Sequence, residues 1–342
     1  MSFVLTSQAQ ELIRPQSYVA HKTLSPLKID GLANESDWQK TAWTKNFIDI
    51  EGKVTPTYQT RAKMLWDESH FYIFVELEEP HVWATLKQND TIVYYNNDFE
   101  VFVDPDGDTH NYYEMEMNAL NTIWDMLLTR PYRGGNESIN DFDMKGMKTA
   151  IHVDGTLNDP TDTDKGWSIE IAIPWSTFKT GYFHDVVPEN DFWRVDFSRV
   201  NWNFELIDGV YHRKKDKNGK YLHEYNWVWS PNGVINMHEP EKWAYVFFST
   251  KAPGSNQSFE IPKNEEVKWQ LYKVYRKHLQ YIDQNEKIAK SLKELGMESI
   301  QVDGKSLSPK LISDDFSWRL SVKSPYSGKE MIIREDGKFI ER

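Results

Sequence analysis

Two alternating runs between Asn97 and Asn118 constrain this chain more than any other stretch. In Asn97–Val103, Phe99, Val101 and Val103 fall on one side while Asp98, Glu100 and Phe102 fall on the other. In Tyr113–Asn118, Tyr113, Met115 and Met117 share a side opposite Glu114, Glu116 and Asn118. Side chains alternate across a strand, so a period of two predicts an antiparallel pair with one apolar face. The other face carries carboxylates and an amide at successive same-side positions. Closely spaced carboxylates repel one another and call for cations, metal ions or ligand hydroxyls between them. Asp98, Glu100, Glu116 and Asn118 are therefore read as a candidate binding surface.

The remaining chain repeats this grammar. Arg61–Trp66 and Phe71–Leu77 alternate around an Asp67–His70 turn, which predicts a hairpin burying Phe71, Ile73, Val75 and Leu77. Further strands are expected around Met147–Val153, Trp167–Ile173, Trp193–Val200, Trp227–Trp229 and Trp243–Ser249. Many short strands separated by turn residues, with little helix, predict an all-β fold, an antiparallel β-sandwich of jelly-roll type. After Ala252–Asn256 the character changes. Asn264 is read as the cap of an acidic first turn, and apolar residues recur at helical spacing from Val267 to Leu295 before Gly296. One long helix is expected there, about 48 Å if unbroken, followed by a terminal hairpin built from Phe316–Val322, Met331–Arg334 and Phe339–Ile340. The domain reading is thus a lead-in at 1–20, a β-sandwich at 21–250 and a helical and short-strand extension at 251–342.

Charge narrows the partners. Residues 251–342 hold 17 Lys+Arg against 14 Asp+Glu, so the net −12 of the chain becomes −15 for residues 1–250. A domain so acidic repels phosphates and is a poor nucleic-acid binder. The chain has no cysteine, which excludes disulfides, zinc–thiolate sites and cysteine nucleophiles. No apolar run reaches the roughly 18 residues of a membrane span. Phe3-Val4-Leu5 followed by Thr6–Gln10 resembles the end of a signal-peptide core with cleavage after Ala9, so a secreted or periplasmic location is expected.

Sugar hydroxyls pair with carboxylates and amides, and sugar C–H faces stack on rings. Tyr94 lies just upstream of the acidic face, and Arg199, Asn201 and Trp202 could complete a lining. The alternative is a salt-bridge network in which Asp98 or Glu100 meets Arg199. The connector Asp104-Pro105-Asp106-Gly107-Asp108 opens like a calcium loop, with oxygen ligands at alternate positions. Met115 stands where an EF-hand needs its glutamate, so Asp104, Asp106 and Asp108 are read either as ligands of a structural Ca2+ or as a plain turn. Asn158–Asp164 is a second, weaker candidate of that kind. Paired Glu100 and Glu116 also leave a glycoside hydrolase open. So does the chain leave open a protein-interaction module without a sugar site. The ten histidines show no metal spacing, and no nucleotide or nucleophile-elbow motif is present.

Ile29-Asp30-Gly31 with Asp37-Trp38, Leu65-Trp66-Asp67 with Phe71-Tyr72, Asn97–Asp104, Trp167–Trp175 and His238–Trp243 follow one another in a familiar order. Over about residues 24–249 this series resembles the family-nine carbohydrate-binding modules, in particular their stand-alone relatives from Bacteroidetes. The resemblance implies a calcium-binding β-sandwich that clamps sugar chain ends between two aromatic rings. It places the family's glutamate on Glu100, its first ring on Tyr94 and its second on Met237. The family's Arg-x-Asn pair falls on Glu116 and Asn118. Met is a softer partner than Trp, and Glu for Arg inverts a charge. Non-catalytic carbohydrate binding through Tyr94, Asp98, Glu100, Glu116, Asn118, Arg199 and Met237 is the function expected.

Overall fold

The computed structural model describes residues 13–135, 138–179 and 187–342; the Phe3–Ala9 segment lies outside them. The chain divides into two compact units, Pro15–Phe259 and Glu260–Arg342, with residues 13–14 grouped with the second.

The first unit is built from β1 (Ser17–Lys22), α1 (Ser36–Lys40), β2 (Thr60–Trp66), β3 (His70–Glu78), β4 (Asp98–Asp104), β5 (Tyr112–Asn118), β6 (Ile123–Leu128), β7 (Lys148–Asp154), β8 (Gly166–Pro174), β9 (Phe192–Asn201), β10 (Tyr225–Val228) and β11 (Ala244–Ser249). The main strands run in the order β6-β5-β4-β9-β11-β1-β2-β3-β8-β7, with β10 hydrogen-bonded to β9. One apolar cluster draws on both ends of this path. Phe99, Val101, Val103, Met115, Phe197 and Phe248 come from one leaf; Met64, Ile73, Val75, Ile169 and Ile171 come from the other. Two leaves therefore face each other as a β-sandwich, and Phe99, Val101, Val103, Tyr113, Met115 and Met117 line its interior as the alternation predicts.

The sandwich is not wholly antiparallel. β1 runs parallel to β11 over Ser17–His21 and parallel to β2 only at His21 and Lys22. It is the strand through which one leaf hands over to the other. The Ile29–Trp38 lead-in is tied to β8 by Ser168, whose hydroxyl donates to the Gly31 carbonyl at 2.7 Å, and by Glu170. Glu170 accepts the Asp30 and Gly31 N–H groups at 2.9 and 3.2 Å and the Trp38 indole N–H at 3.0 Å. Gly31 sits at φ +83°, where a Cβ would come within 2.8 Å of the His152 backbone nitrogen. Only glycine passes there without displacing a strand.

In the second unit, α2 (Lys263–Asn285) packs with β12 (Lys310–Ser313), β13 (Trp318–Lys323), β14 (Glu330–Arg334) and β15 (Phe339–Glu341), an antiparallel sheet in sequence order. Val267, Leu271, Val274, Leu320, Val322 and Ile333 form its core. The helix is shorter than its periodicity suggests. Glu286 turns left-handed at φ 53° and donates to the Ile282 carbonyl, closing the helix at Asn285. Leu292 and Leu295 reach the same core from the turns beyond it. The expected cap at Asn264 lies inside the helix, whose first residue follows Pro262. No helix among the described residues is long and apolar enough to cross a membrane.

Candidate functional site

With the odd residues committed to the core, β4 and β5 must direct their even residues outward. Register places Asp98 opposite Asn118, Glu100 opposite Glu116 and Phe102 opposite Glu114. β6 continues the face with Trp124 beside Glu116 and Met126 beside Glu114. An oxygen of each of Asp98, Glu100 and Glu116 lies within 4.8 Å of the others. Loops then cover much of this face. Phe102, Tyr112, Met126, Met237 and Trp243 form an apolar cluster on it, and all four acids are buried. Glu100 keeps the most exposure, at 7%. The candidate binding surface is thus an enclosed floor rather than an open one, with Glu100 its least buried acid.

Burial followed by mutual repulsion sets the electrostatics. Desolvation lifts Asp98, Glu114 and Glu116 well above the ordinary carboxylate range, and the neighbouring acids lift them further. Glu100 is pushed up to about 7 by burial, with the Ser198 hydroxyl opposing and Glu224 adding to the rise. Asp98 Oδ1 accepts the Val200 N–H at 3.2 Å, and Glu116 Oε2 accepts the Tyr94 N–H at 3.0 Å. Asp98 Oδ2 and Glu114 Oε2 have no hydrogen-bond partner. His238 Nδ1 stands 4.0 Å from Glu114, but burial lowers this imidazole to about 3, so it brings no charge at neutral pH.

Tyrosines rim the floor. Tyr94 is half-buried, its ring edge-on to Tyr95 at 5.1 Å and its carbonyl accepting the Trp202 indole N–H. Tyr132, 41% exposed, lies over His238 with ring centroids 3.7 Å apart. Its hydroxyl is raised by burial and then by the charges of Glu114, Glu116, Tyr94 and Glu100. A separate cavity of about 620 Å³ on the outer side of β2, β3 and β8 contains Trp43. The Arg61 guanidinium and Lys63 ammonium already cover that ring at 4.0 and 4.4 Å.

Residues 29–187 match the family described as carbohydrate family 9 binding domain-like. Over that stretch, just under half of its length, the chain is similar to family-nine carbohydrate-binding domains. It is 27% identical over 150 residues to exoglucanase XynX of Acetivibrio thermocellus, covering 44% of this chain and 11% of that protein. It is 26% identical over 115 residues to endo-1,4-beta-xylanase A of Thermoanaerobacterium saccharolyticum, covering 34% of this chain and 8% of that one. The chain thus spans about a tenth of the curated relatives it matches. Among solved structures, a Bacteroides uniformis protein proposed to bind carbohydrate shares the fold, with TM-score 0.51 and 16% identity over 69% of this chain and all of that one.

Within the family-nine-like domain, Tyr94, Asp98, Glu100 and Glu116 are gathered on one face, and Asn118 lies at its end. Asn118 is fully engaged in shaping a turn: its amide donates to the Leu86 carbonyl and Asn96 Oδ1, and its oxygen accepts the Leu120 and Thr122 N–H groups. Met237 packs beneath the loops, and its carbonyl accepts the Trp243 indole N–H at 2.8 Å. Arg199 is taken away from the acids. Ser198 and Val200 occupy the outward positions of β9, so Arg199 points to the opposite side and binds Glu79 at 2.9 Å. An Arg199 bridge to Asp98 or Glu100 is therefore corrected to one with Glu79.

Asp104, Asp106 and Asp108 also converge within 4.8 Å, and each accepts a backbone N–H of its own loop, from Gly107 and Thr109, Asp108 and His110 respectively. In the second acidic loop, Asp164 ties down the Val82 and Thr156 N–H groups. Sequence reasoning put Glu114 on the acidic side but left it out of the candidate set, and it missed Trp124 and Tyr132. Glu114 and Trp124 follow from extending the alternation outward across β5 and β6, whereas Tyr132 arrives on a loop with no periodic signal.

Proposed function

We propose that the first unit binds carbohydrate reversibly, on the outer face of β4, β5 and β6, without covalent chemistry. The observation that carries this reading is a tyrosine-rimmed carboxylate floor at the centre of the family-nine-like domain. Tyr94 and Tyr132 offer rings for the apolar face of a sugar, and Glu100, at the solvent edge, accepts hydroxyl hydrogen bonds. Each such bond replaces one to water and nets about 1 kcal/mol, so affinity is modest and rests on stacking. The relatives named for glucan and xylan cleavage support a β-linked plant polysaccharide or its oligosaccharides as ligand. Glu100 and Glu116 stand side by side on neighbouring strands, an arrangement suited to one floor rather than to flanking a scissile bond from two sides. A structural Ca2+ at Asp104, Asp106 and Asp108 belongs to the same proposal, supported by the convergence of their oxygens. A secreted or periplasmic location is supported by the small-residue pattern ending at Ala9.

Titration calorimetry with gluco- and xylo-oligosaccharides tests the binding. Tyr132→Ala and Glu100→Gln are each expected to weaken it at least tenfold. Absence of heat with every saccharide, in the presence and absence of calcium, would overturn the proposal.

A further inference from the structure

The floor beneath those tyrosines holds more negative charge than sugar hydroxyls require. Asp98, Glu100 and Glu116 have no Lys or Arg nitrogen within 4.0 Å among the described residues, and Glu114 has only the neutral His238. Arg199, whose charge reaches Asp98, is engaged by Glu79 on the other side of β9. Buried carboxylates without a counter-charge are expensive, and native structures resolve them by pairing, protonation or metal coordination.

Two features favour coordination. The first is convergence: oxygens within 4.8 Å of one another suit a single hard cation, since calcium–oxygen distances of about 2.3–2.6 Å put opposed ligands about 5 Å apart. The second is that fully enclosed oxygens are left without a partner. Asp98, a member of the converging set, leaves its Oδ2 buried without a partner, and Glu114, whose Oε2 is likewise unpartnered, lies one outward position further along β5. Asn118, at the end of the face, has its side chain committed to the turn and does not compete for this role.

We infer that Asp98, Glu100 and Glu116 form a divalent-cation site, distinct from the Asp104–Asp108 loop and suited to calcium. An all-oxygen ligand set selects a hard ion. The ion neutralises the floor, and solvent reaches it along Glu100 to complete its shell. Nothing in this inference depends on the sugar reading, and it is tested with the metal alone.

The experiment is Tb3+ luminescence, sensitised through the nearby Trp124, with Ca2+ competition and no saccharide present. It is run on the full chain as wild type, Glu116→Gln, Glu100→Gln and Asp106→Asn. Glutamine keeps the shape of glutamate, and at position 116 its oxygen can still accept the Tyr94 N–H, so a folded variant is expected. Circular dichroism checks this for both glutamine variants. The inference expects Glu116→Gln and Glu100→Gln each to weaken Tb3+ and Ca2+ binding at a site that Asp106→Asn leaves intact, by tenfold or more. Binding unchanged in both glutamine variants, loss in Asp106→Asn alone, or no binding by the wild type would overturn it. Saccharide calorimetry in chelator is a separate readout, so failure of the sugar reading leaves a distinct signature.

Discussion

Two sets of buried carboxylates, one of a single acid and one of several, lie on opposite sides of β9, and they are solved differently. Glu79 accepts hydrogen bonds from Arg199 at 2.9 Å, Asn201 at 2.8 Å and Asn97 at 3.0 Å, and the guanidinium also donates to Thr60 Oγ1 at 3.0 Å. Burial raises the Glu79 carboxyl, while Arg199 and Asn201 oppose the rise. Asp98, Glu100 and Glu116 have comparable burial, but each acid's nearest charged companions are other acids. The Glu79 carboxylate is paired with a cation from within, although Arg199 Nε stays without a partner, whereas acids left short of positive charge call for pairing, protonation or an ion. The contrast separates the Glu79 set, which fastens β9 to the end of β3, from the floor, for which a cation is inferred.

The largest test of that separation removes the internal cation. Arg199→Met should destabilise the first unit by about 3–5 kcal/mol, because it leaves Glu79 buried without a counter-charge. Urea unfolding followed by tryptophan fluorescence measures it. The double variant Glu79→Gln with Arg199→Met should recover most of the loss, since removing both partners of a buried pair costs far less than removing one. A single-variant loss under 1 kcal/mol would erase the distinction between the clusters.

The second unit supplies an intermediate case, a buried base with one nitrogen satisfied and one not. His278 Nε2 accepts the Ala289 N–H at 3.0 Å, its Nδ1 has no partner, and its ring lies 4.0 Å from that of Trp318. Burial lowers the imidazole to about 4, against about 6.5 in an unfolded chain. Between those values the unfolded chain binds a proton that the folded unit refuses. The stabilisation is therefore complete above about pH 6.5 and is lost as pH falls toward 4, on the order of 2–3 kcal/mol in all. Proton NMR of His278 combined with thermal unfolding across this range checks it. A His278 resonance titrating near 6.5 in the folded chain would contradict the enclosure described.

Much of this was legible in the residues. The alternation in Asn97–Val103 and Tyr113–Asn118 is local and strict, so it predicted both the core face and the outward acids, and the same logic located β2, β3 and β8. What alternation cannot say is whether an outward face stays open. Here loops carrying Tyr132, Met237 and Trp243 fold back over it, and such contacts have no sequence period. Arg199 shows the complementary error. Its parity along Trp193–Val200 assigns it to the side away from Ser198, and that parity outweighs the attraction of opposite charges inferred from composition. The helix end at Asn285 was hidden for a different reason: apolar spacing continues past Glu286 because the turns beyond it feed the same core. The parallel pairing of β1 lay beyond periodicity altogether, because direction is set by which leaf the strand joins.

The smallest effect is the one whose sign matters most. In the presence of chelator, Glu116→Gln should stabilise the first unit by about 1 kcal/mol, the scale of one unit of carboxylate shift. The amide removes a charge from a floor where burial and Glu100, Asp98 and Glu114 all disfavour it, and its oxygen keeps the Tyr94 N–H. Most substitutions of a buried, hydrogen-bonded glutamate destabilise, because they strand a partner; at Glu79 the partner would be Arg199. Equal losses for Glu79→Gln and Glu116→Gln in chelator denaturation curves would mean that both clusters serve only the fold. A gain at Glu116 that turns into a loss when calcium is restored would show that the acid is kept at the expense of stability, for a cation the polypeptide does not itself supply.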